Sequence, residues 1–352
     1  MFGLGFPSNR ESIRLLQEGG IQVPHRIASY HVAPVRRTLL RATCGSVLLA
    51  LLAVAAVAAT PAAGRPAELT KIKVAFLPAE PAALVTYAKH RGMFRKQGID
   101  AEMVPRTDPQ VILGALLSGE VQFSGTHAGA AALLKSRGAP IKVVAAGALY
   151  EPKNPTSALV SSKGRSIKRP RDLVGKTILI DGPNTIAEIG VLKWLKKGGV
   201  SKNDVTIKYV PFQEMIPSLS QGKVDAAFLP EPFLTVAQQQ GLKVSAYPFN
   251  AVCSKICLIT FWMARADVDA NLIARFRKAV QNAAVWVNQD KNDAASARIL
   301  AKYVPIDAKV MAKMRRTSFA THFRPALAQP WLDAFAEFGV IPAGFKAIDL
   351  VK

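Results

Sequence analysis

Apolar positions along the chain switch repeatedly between two spacings. Short apolar runs closed by Gly, Pro or Asn are typical of buried strands, and apolar residues three and four apart are typical of helices. This alternation predicts parallel strands joined by helical crossovers, and hence an α/β fold. The predicted strands are 72–77, 101–104, 121–123, 141–146, 177–180, 205–209, 226–229 and 244–246, and the predicted helices are 84–94, 109–117, 128–136, 185–197, 213–221 and 232–240.

The chain also contains an internal repeat. Residues 108–138 align with residues 211–241 without a gap, at a constant offset of 103. Both copies share the order helix, Gly-bounded turn, short strand and second helix. Two copies are too few for a solenoid, so they indicate two similar α/β halves with a ligand between them. The identical pairs are Gln110 and Gln213, Leu116 and Leu219, Gly119 and Gly222, Val121 and Val224, and Gly138 and Gly241.

A length of 352 residues predicts about two domains. The Pro- and Asn-rich segment 151–155 marks the boundary between lobe 1, residues 70–150, and lobe 2, residues 156–250. Residues 256–264 form an apolar run that is predicted to return to lobe 1. Residues 255–352 therefore comprise this return strand and C-terminal helices that we expect to pack mainly on lobe 1.

The N-terminal region has the pattern of a secretory signal peptide. Arg36, Arg37 and Arg41 precede an apolar run at 47–59 that is too short to span a membrane, and small residues follow it. We predict a signal peptide at 36–63, cleaved between Ala58 and Gly64, and a periplasmic protein. Residues 1–35 are predicted to be disordered or to result from an over-called start codon. Sec export and Tat export both stay open.

Charge and composition narrow the range of partners. Half of the residues are hydrophobic, which suffices for a core, and the net charge is +22. Such a charge favours acidic ligands or anionic surfaces. Nucleic acid is excluded, because the sequence contains neither a basic stripe with interleaved aromatics nor a recognition-helix pattern. We expect a monomer that binds a small molecule.

Ligands of open parallel sheets bind beyond the carboxyl ends of the strands, where the N-termini of the following helices point outward. This rule selects the loops 78–81, 124–127, 181–185 and 230–232, two in each half. Thr126 and Thr185 are candidates for a helix cap or a ligand contact. Glu231, held between two prolines, is either a ligand contact or a partner of the helix dipole.

Several short segments together resemble one protein family, the nitrate/sulfonate/taurine type of solute-binding protein of ABC importers. The resemblance covers about residues 72–264, and the ordered set of segments carries it. The segments are Lys73-Val74-Ala75-Phe76, Ala88-Lys89-His90-Arg91-Gly92-Met93-Phe94, Gly119-Glu120-Val121-Gln122, Gly138-Ala139-Pro140-Ile141-Lys142-Val143, Asp172-Leu173-Val174-Gly175-Lys176, Gly222-Lys223-Val224-Asp225-Ala226-Ala227 and Glu231-Pro232.

The resemblance implies a two-lobed type II periplasmic binding fold with parallel-rich sheets, and crossovers near 148–158 and 247–257. It also implies a binding cleft and an ABC permease in the inner membrane as partner. Asp181 is expected to brace the sheet end rather than form the cleft floor. Leu229-Pro230 replaces the family's usual aromatic, so the apolar wall is expected from Phe228, Phe233, Tyr150 or Trp262. The implied ligand-binding residues are Ala79, Glu80, Ser124, Thr126, His127, Asn184, Thr185 and Glu231.

The implied ligand is a small polar anionic or zwitterionic organic molecule of the sulfonate, nitrate and taurine class. A zwitterion or an N–H-bearing heterocycle fits both the helix N-termini and the nearby glutamates. A thiamin-pyrimidine-precursor binding protein and a periplasmic enzyme on the same fold stay as alternatives.

Catalytic and metal motifs are not found. The sequence contains neither a Gly-x-Ser-x-Gly elbow nor a His-Glu-x-x-His pair, so we expect no enzymatic activity, no metal and no cofactor. Cys253 and Cys257 are too far apart for a disulfide if they share an extended strand. A bond between them requires a turn at 254–255, and both states stay open.

Overall fold

The computed structural model describes residues 68–352. The predicted N-terminal extension at 1–35 and the predicted signal peptide at 36–63, with its cleavage site, lie outside the described residues. Within 68–352, no helix has the length and apolar character needed to cross a membrane.

The strands of the described region form two sheets of five strands and one small sheet of two. They are β1 (Thr70–Phe76), β2 (Ile99–Pro105), β3 (Phe123–Thr126), β4 (Ile141–Ala146), β5 (Leu149–Tyr150), β6 (Ser157–Ser161), β7 (Thr177–Ile180), β8 (Thr206–Tyr209), β9 (Ala226–Pro230), β10 (Lys243–Ala246), β11 (Cys257–Leu258) and β12 (Phe261–Arg265). The first sheet has the order β2-β1-β3-β12-β4, and the second has the equivalent order β8-β7-β9-β6-β10. In each sheet one strand, β12 or β6, runs antiparallel to its neighbours, and the others are parallel.

Helices connect the strands and form most of the C-terminal third. They are α1 (Leu84–His90), α2 (Pro109–Ser118), α3 (Ala128–Ser136), α4 (Ile186–Lys197), α5 (Phe212–Ser220), α6 (Phe233–Gln239), α7 (Ala270–Val287), α8 (Asp293–Leu300), α9 (Ala308–Met311) and α10 (Pro325–Glu337). Short 3-10 helices lie at Glu80–Ala82, Arg95–Gln97, Pro170–Leu173, Lys202–Asp204, Pro248–Ala251, Asp290–Asn292 and Ala347–Leu350.

The internal repeat is confirmed as a structural repeat. The succession α2, β3, α3 in the first half corresponds to α5, β9, α6 in the second, and β3 begins at Phe123 while β9 begins at Ala226. Each first helix ends at a glycine with a left-handed backbone, Gly119 with φ +82° and Gly222 with φ +67°. A left-handed residue reverses the chain after the last helical turn, and glycine adopts it without strain from a Cβ atom.

Most predicted elements are confirmed, and α3, β4 and β7 have the predicted bounds. Strand β6 was not predicted. The predicted return strand 256–264 was wrong as a single strand, because β11 and β12 are separated around Thr260. The Thr260 hydroxyl accepts a hydrogen bond from the Ala148 amide at 2.7 Å and donates one to the Pro81 carbonyl at 2.9 Å. This side chain ties the segment between β11 and β12 to the 3-10 helix that follows β1 and to the connection between β4 and β5.

The two connections between the large sheets pair with one another through β5 and β11. A turn at 254–255 brings Cys253 and Cys257 together, with their Cα atoms 5.8 Å apart, and the two form a disulfide. The turn that the sequence analysis required for this bond is therefore present.

Helix α10 contacts both halves of the molecule. It packs on α3 and on α4, and the Phe335 ring lies so close to α3 that a Cβ atom on Gly129 would be 2.2 Å from it. At the end of α10, Glu337 forms ion pairs with Lys193 and with Lys196 of α4, the latter at 2.9 Å. The C-terminal segment therefore holds the two halves against each other.

Candidate functional site

A cavity of about 140 Å³ lies between the two large sheets. A cavity of roughly 150 Å³ is enough for a benzene molecule, so a small organic molecule fits. Segments that follow strand ends in both halves form its wall, as expected for parallel sheets. The first half contributes Ala79, Gly125, Thr126 and His127, and the second contributes Asp181, Asn184, Thr185 and Phe228.

Five of the eight predicted ligand-binding residues line this cavity. They are Ala79, Thr126, His127, Asn184 and Thr185. They come from three loops that are far apart in the sequence, and the fold brings them to one enclosed space. Glu80, Ser124 and Glu231 do not reach the cavity wall.

His127 is an uncharged residue at the start of α3. Its Nδ1 atom accepts a hydrogen bond from the Ala130 amide at 3.3 Å, so the side chain caps the helix. Its ring stacks on Phe335 with the centroids 5.5 Å apart. Burial lowers the pKa of His127 to about 4, because a charged imidazolium is poorly solvated there. At neutral pH the Nε2 atom therefore carries the only ring proton and is a hydrogen-bond donor.

The two candidate threonines have different roles. Thr185 caps α4, since its hydroxyl accepts a hydrogen bond from the Glu188 amide at 3.3 Å and lies 2.9 Å from an Asp181 oxygen, to which it donates. The cap of α3 is His127, so Thr126 is not needed for that purpose. Within the described region, the Thr126 hydroxyl makes no hydrogen bond to another residue and stays available for a ligand.

Glu80 lies behind the cavity wall in a buried ion pair. It is fully buried and contacts Arg316 at 2.9 Å. Its other oxygen accepts hydrogen bonds from the amide and the hydroxyl of Thr317, at 3.2 and 3.1 Å. Burial raises the pKa of Glu80 to about 7, although Arg316 and Thr317 act in the opposite direction. The residue fixes the C-terminal segment to the first half.

Glu231 has a corresponding position in the second half. Its carboxylate accepts hydrogen bonds from the amide and the hydroxyl of Thr235, both at 3.1 Å, and from the Arg315 amide at 3.3 Å. These contacts satisfy the first turn of α6 and correspond to the helix-terminus role that the sequence left open. Residues 315–317 thus contact one buried glutamate from each half.

Ser124 lies inside β3 instead of in a loop, and it is fully buried. The predicted strand ended at residue 123, whereas β3 extends from Phe123 to Thr126. The longer strand carries Ser124 into the core and leaves Thr126 at the strand end, where the cavity begins.

Asp181 lines the cavity, although the sequence analysis favoured a bracing role for it. It follows β7 directly, so the strand-end rule pointed to it. Burial raises the pKa of this carboxyl group to about 6, against the opposing hydrogen bond from Thr185. Asp181 both holds Thr185 and presents a carboxyl group to the cavity.

Aromatic rings form the apolar part of the wall. Phe228, one of the four expected candidates, lines the cavity together with Phe212 and Phe249. The Phe228 and Phe249 rings have centroids 4.8 Å apart. Phe233, Tyr150 and Trp262 do not line the cavity. The described part of the chain contains no group of three or more His, Cys, Asp or Glu side chains arranged to hold a metal ion.

Solved structures with the same fold include proteins with known ligands. The periplasmic nitrate-binding protein NrtA from Synechocystis PCC 6803 superimposes with a TM-score of 0.69 at 16% identity, over 81% of this chain and 85% of that chain. The periplasmic aliphatic sulphonate binding protein SsuA from Escherichia coli gives a TM-score of 0.62 at 18% identity, over 80% and 97%. At these identities the likeness establishes the periplasmic-binding-protein fold.

An enzyme shares the fold as well. The desulfurization enzyme DSZB gives a TM-score of 0.58 at 12% identity, over 77% of this chain and 93% of that chain. Among curated protein sequences, none matches the chain significantly. A sequence model described as NMT1/THI5 like matches residues 82–294. Since that match extends over more than half of the chain, the protein belongs to the NMT1/THI5-like family.

Proposed function

We propose that this protein is the exported solute-binding receptor of an ABC importer. It captures a small organic molecule in the cavity between lobe 1, residues 70–150, and lobe 2, residues 156–250, and presents it to a membrane permease. One observation carries the proposal: residues from both halves enclose a space of about 140 Å³ that fits such a molecule. A ligand that contacts both walls stabilises the closed arrangement, which is a state that a permease can distinguish from the open one.

The proposed location is the periplasm. The signal peptide predicted at 36–63 supports export, and two proteins with the same fold are described as periplasmic. The disulfide between Cys253 and Cys257 supports an oxidising compartment.

The proposed ligand contacts are Thr126, His127 and Asn184, with Asp181 added to the set predicted from sequence. Thr126 and His127 come from the first half, and Asp181 and Asn184 come from the second. Thr185 acts on the ligand through Asp181, whose carboxyl group it orients at 2.9 Å. The sulfonate, nitrate and taurine class is the ligand class that the sequence suggested.

We propose binding without chemical turnover. A histidine base has to hold a nucleophile or a water molecule at its unprotonated nitrogen. In His127 that nitrogen, Nδ1, already accepts the Ala130 amide at 3.3 Å. The cavity can therefore form hydrogen bonds with a ligand, but His127 has no free nitrogen that could act as a base.

A thermal-shift screen of the mature exported protein tests this function. Sulfonates, nitrate, amino acids and N–H-bearing heterocycles form the panel. A ligand at 100 times its dissociation constant stabilises the protein by about 2.7 kcal/mol. Mass spectrometry after the incubation is expected to recover the ligand unchanged. A chemically altered ligand would show that the protein is an enzyme.

A variant that blocks the cavity tests whether the ligand binds between the two sheets. Ala130 is buried and lines the cavity, so Ala130→Phe places a benzene-sized ring in a space of benzene size. We expect this variant to lose the thermal shift. Ala312→Phe, at an exposed position outside the cavity, is the matched control and is expected to keep it. Equal shifts in both variants would place the binding site elsewhere.

A further inference from the structure

The cavity wall is free of positive charge. The chain has 46 Lys and Arg residues, but none of them is among the described residues that line the cavity. Its histidine, His127, is uncharged at neutral pH because burial lowers its pKa to about 4. A buried anion without a cationic partner is costly, so the wall does not favour a ligand with a negative head group.

The ionisable group that remains on the wall is an acid. Asp181 uses one oxygen to accept the Thr185 hydroxyl at 2.9 Å. Its own backbone N–H is the other hydrogen-bonding group close to it, and the side chain keeps partial exposure where it lines the cavity. A carboxylate with two oxygens has acceptor positions left for a ligand, so this wall favours a ligand that donates a hydrogen bond.

The helix terminus beside Asp181 already has a hydrogen-bond acceptor. Helix α4 begins next to the cavity, and such a terminus attracts anions when its N–H groups are open. Here the buried Glu188 lies in the first turn, and its carboxylate accepts the Asn184 amide at 2.7 Å. The other Glu188 oxygen pairs with Lys202 at 2.8 Å and accepts the Tyr209 hydroxyl at 2.7 Å, so Asp181 is the carboxyl group of this terminus that lines the cavity. With the Asn184 amide already bound and the Asp181 carboxyl group beside it, this terminus attracts an anion less than an open helix N-terminus does.

The opposite wall offers hydroxyl groups and a ring N–H. The His127 Nε2 atom is a donor, since Nδ1 is the atom that accepts the Ala130 amide. Thr126 has a hydroxyl without a partner in the described region. In the second half, Ser157 on β6 is 4% exposed, lines the cavity, and has a hydroxyl oxygen without a hydrogen-bond partner among the described residues. A ligand with an acceptor as well as a donor satisfies both walls.

We propose that the cavity selects a ring-sized ligand without negative charge, whose N–H group donates to Asp181 and whose acceptor is held by the donors of the first half. This inference rests on the proposed receptor function and specifies its ligand. It excludes the anionic ligands that the sequence suggested and keeps the N–H-bearing ones, because the cavity wall supplies no Lys or Arg side chain and presents a carboxyl group. The apolar body of the ligand packs against Phe228 and Phe249.

Two isosteric probes test the inference. Benzamide carries N–H donors and a carbonyl acceptor, and benzoate has nearly the same shape with a negative charge. Calorimetric titration of the mature protein at pH 7.5 is expected to show at least tenfold tighter binding of benzamide, which corresponds to about 1.4 kcal/mol. Equal or tighter binding of benzoate overturns the proposal.

The variant Asp181→Asn tests whether Asp181 causes the preference for benzamide over benzoate. This variant removes the charge and keeps the size of the side chain. Its affinity for benzamide is expected to fall and its affinity for benzoate to rise, so that the preference shrinks by tenfold or more. Glu102→Gln removes an exposed carboxylate outside the cavity and is expected to leave the preference unchanged. If the preference for benzamide over benzoate changes similarly in both variants, it depends on the net charge of the protein. Asp181 then does not determine the selectivity.

The same titrations separate this inference from the receptor function. Suppose that neither probe binds, but another solute of the wider panel binds and Ala130→Phe abolishes its binding. The proposed ligand class is then wrong and the receptor function stands. If no solute of any class binds there, both fail.

Discussion

The buried pair of Glu80 and Arg316 is expected to support the fold and not the ligand. In Glu80→Ala, Arg316 loses its partner at 2.9 Å and keeps Asp293 at 3.6 Å. The amide and the hydroxyl of Thr317 lose their acceptor at the same time. Removing one partner of a buried ion pair costs about 3–5 kcal/mol. We expect about 3 kcal/mol, because Arg316 keeps a second carboxylate and 19% exposure of its side chain.

Urea denaturation of the mature protein measures this cost. Circular dichroism and tryptophan fluorescence should give coincident transitions if unfolding is two-state. Glu120→Ala is the matched control, since it breaks an exposed pair with Arg106 of 2.9 Å and is expected to cost less than about 1 kcal/mol. Equal costs in the two variants would show that the buried pair stabilises the fold no more than the exposed pair does. Loss of ligand affinity at unchanged stability would instead place Glu80 in the binding site.

Three further predictions concern pH, the ligand contact and the disulfide. The folded protein raises the pKa of Glu80 from 4.5 to about 7, so it binds a proton that the unfolded chain releases. The free energy of unfolding should therefore fall as pH rises from about 4.5 to 7, and pH-dependent urea denaturation of Glu80→Gln should show a smaller fall. Thr126→Ala should weaken ligand binding about tenfold in calorimetric titration through the loss of one buried hydrogen bond, whereas Thr206→Ala, exposed on β8, should leave it unchanged. Alkylation before reduction should label neither Cys253 nor Cys257 in the exported protein, and full labelling would contradict the disulfide.

Local signals explain why much of the fold could be predicted. Helix α3 and strands β4 and β7 combine a clear apolar period with a Gly or Pro boundary, and their predicted bounds agree with the structure. The repeat was visible because both copies keep the glycine that ends the first helix, at Gly119 and Gly222. These features depend on neighbours in the sequence, which a single chain shows directly.

Strand β6 depends on distant neighbours instead. All five of its residues are buried, and it lies between β9 and β10. Its short sequence has neither an alternating pattern nor a bounding glycine, and it follows the Pro- and Asn-rich segment that marked a boundary. The pairing of β6 with strands that come 65 to 87 residues later is what makes it a strand.

The candidate site was predictable in position but only partly in its side chains. The rule for strand ends selected the loops that line the cavity, because it follows from the direction of parallel strands. It did not say which side chains turn toward the cavity. Glu80 and Glu231 turn instead to residues 315–317, which lie 84 to 237 positions away in the chain. The sequence analysis expected Asp181 to brace the sheet end. A residue directly after β7 can either brace the strand or contact a ligand, and the sequence does not distinguish these roles.

A crystal structure of the mature protein with a solute from the binding screen would locate the ligand. We expect one molecule in the cavity between the sheets, in contact with Thr126 of the first half and with Asp181 of the second. Its chemical structure should be unchanged, and its group nearest Asp181 should be a donor. A solute bound outside this cavity would show that the binding site is elsewhere, and an anionic group placed against Asp181 would show that the inferred ligand class is wrong.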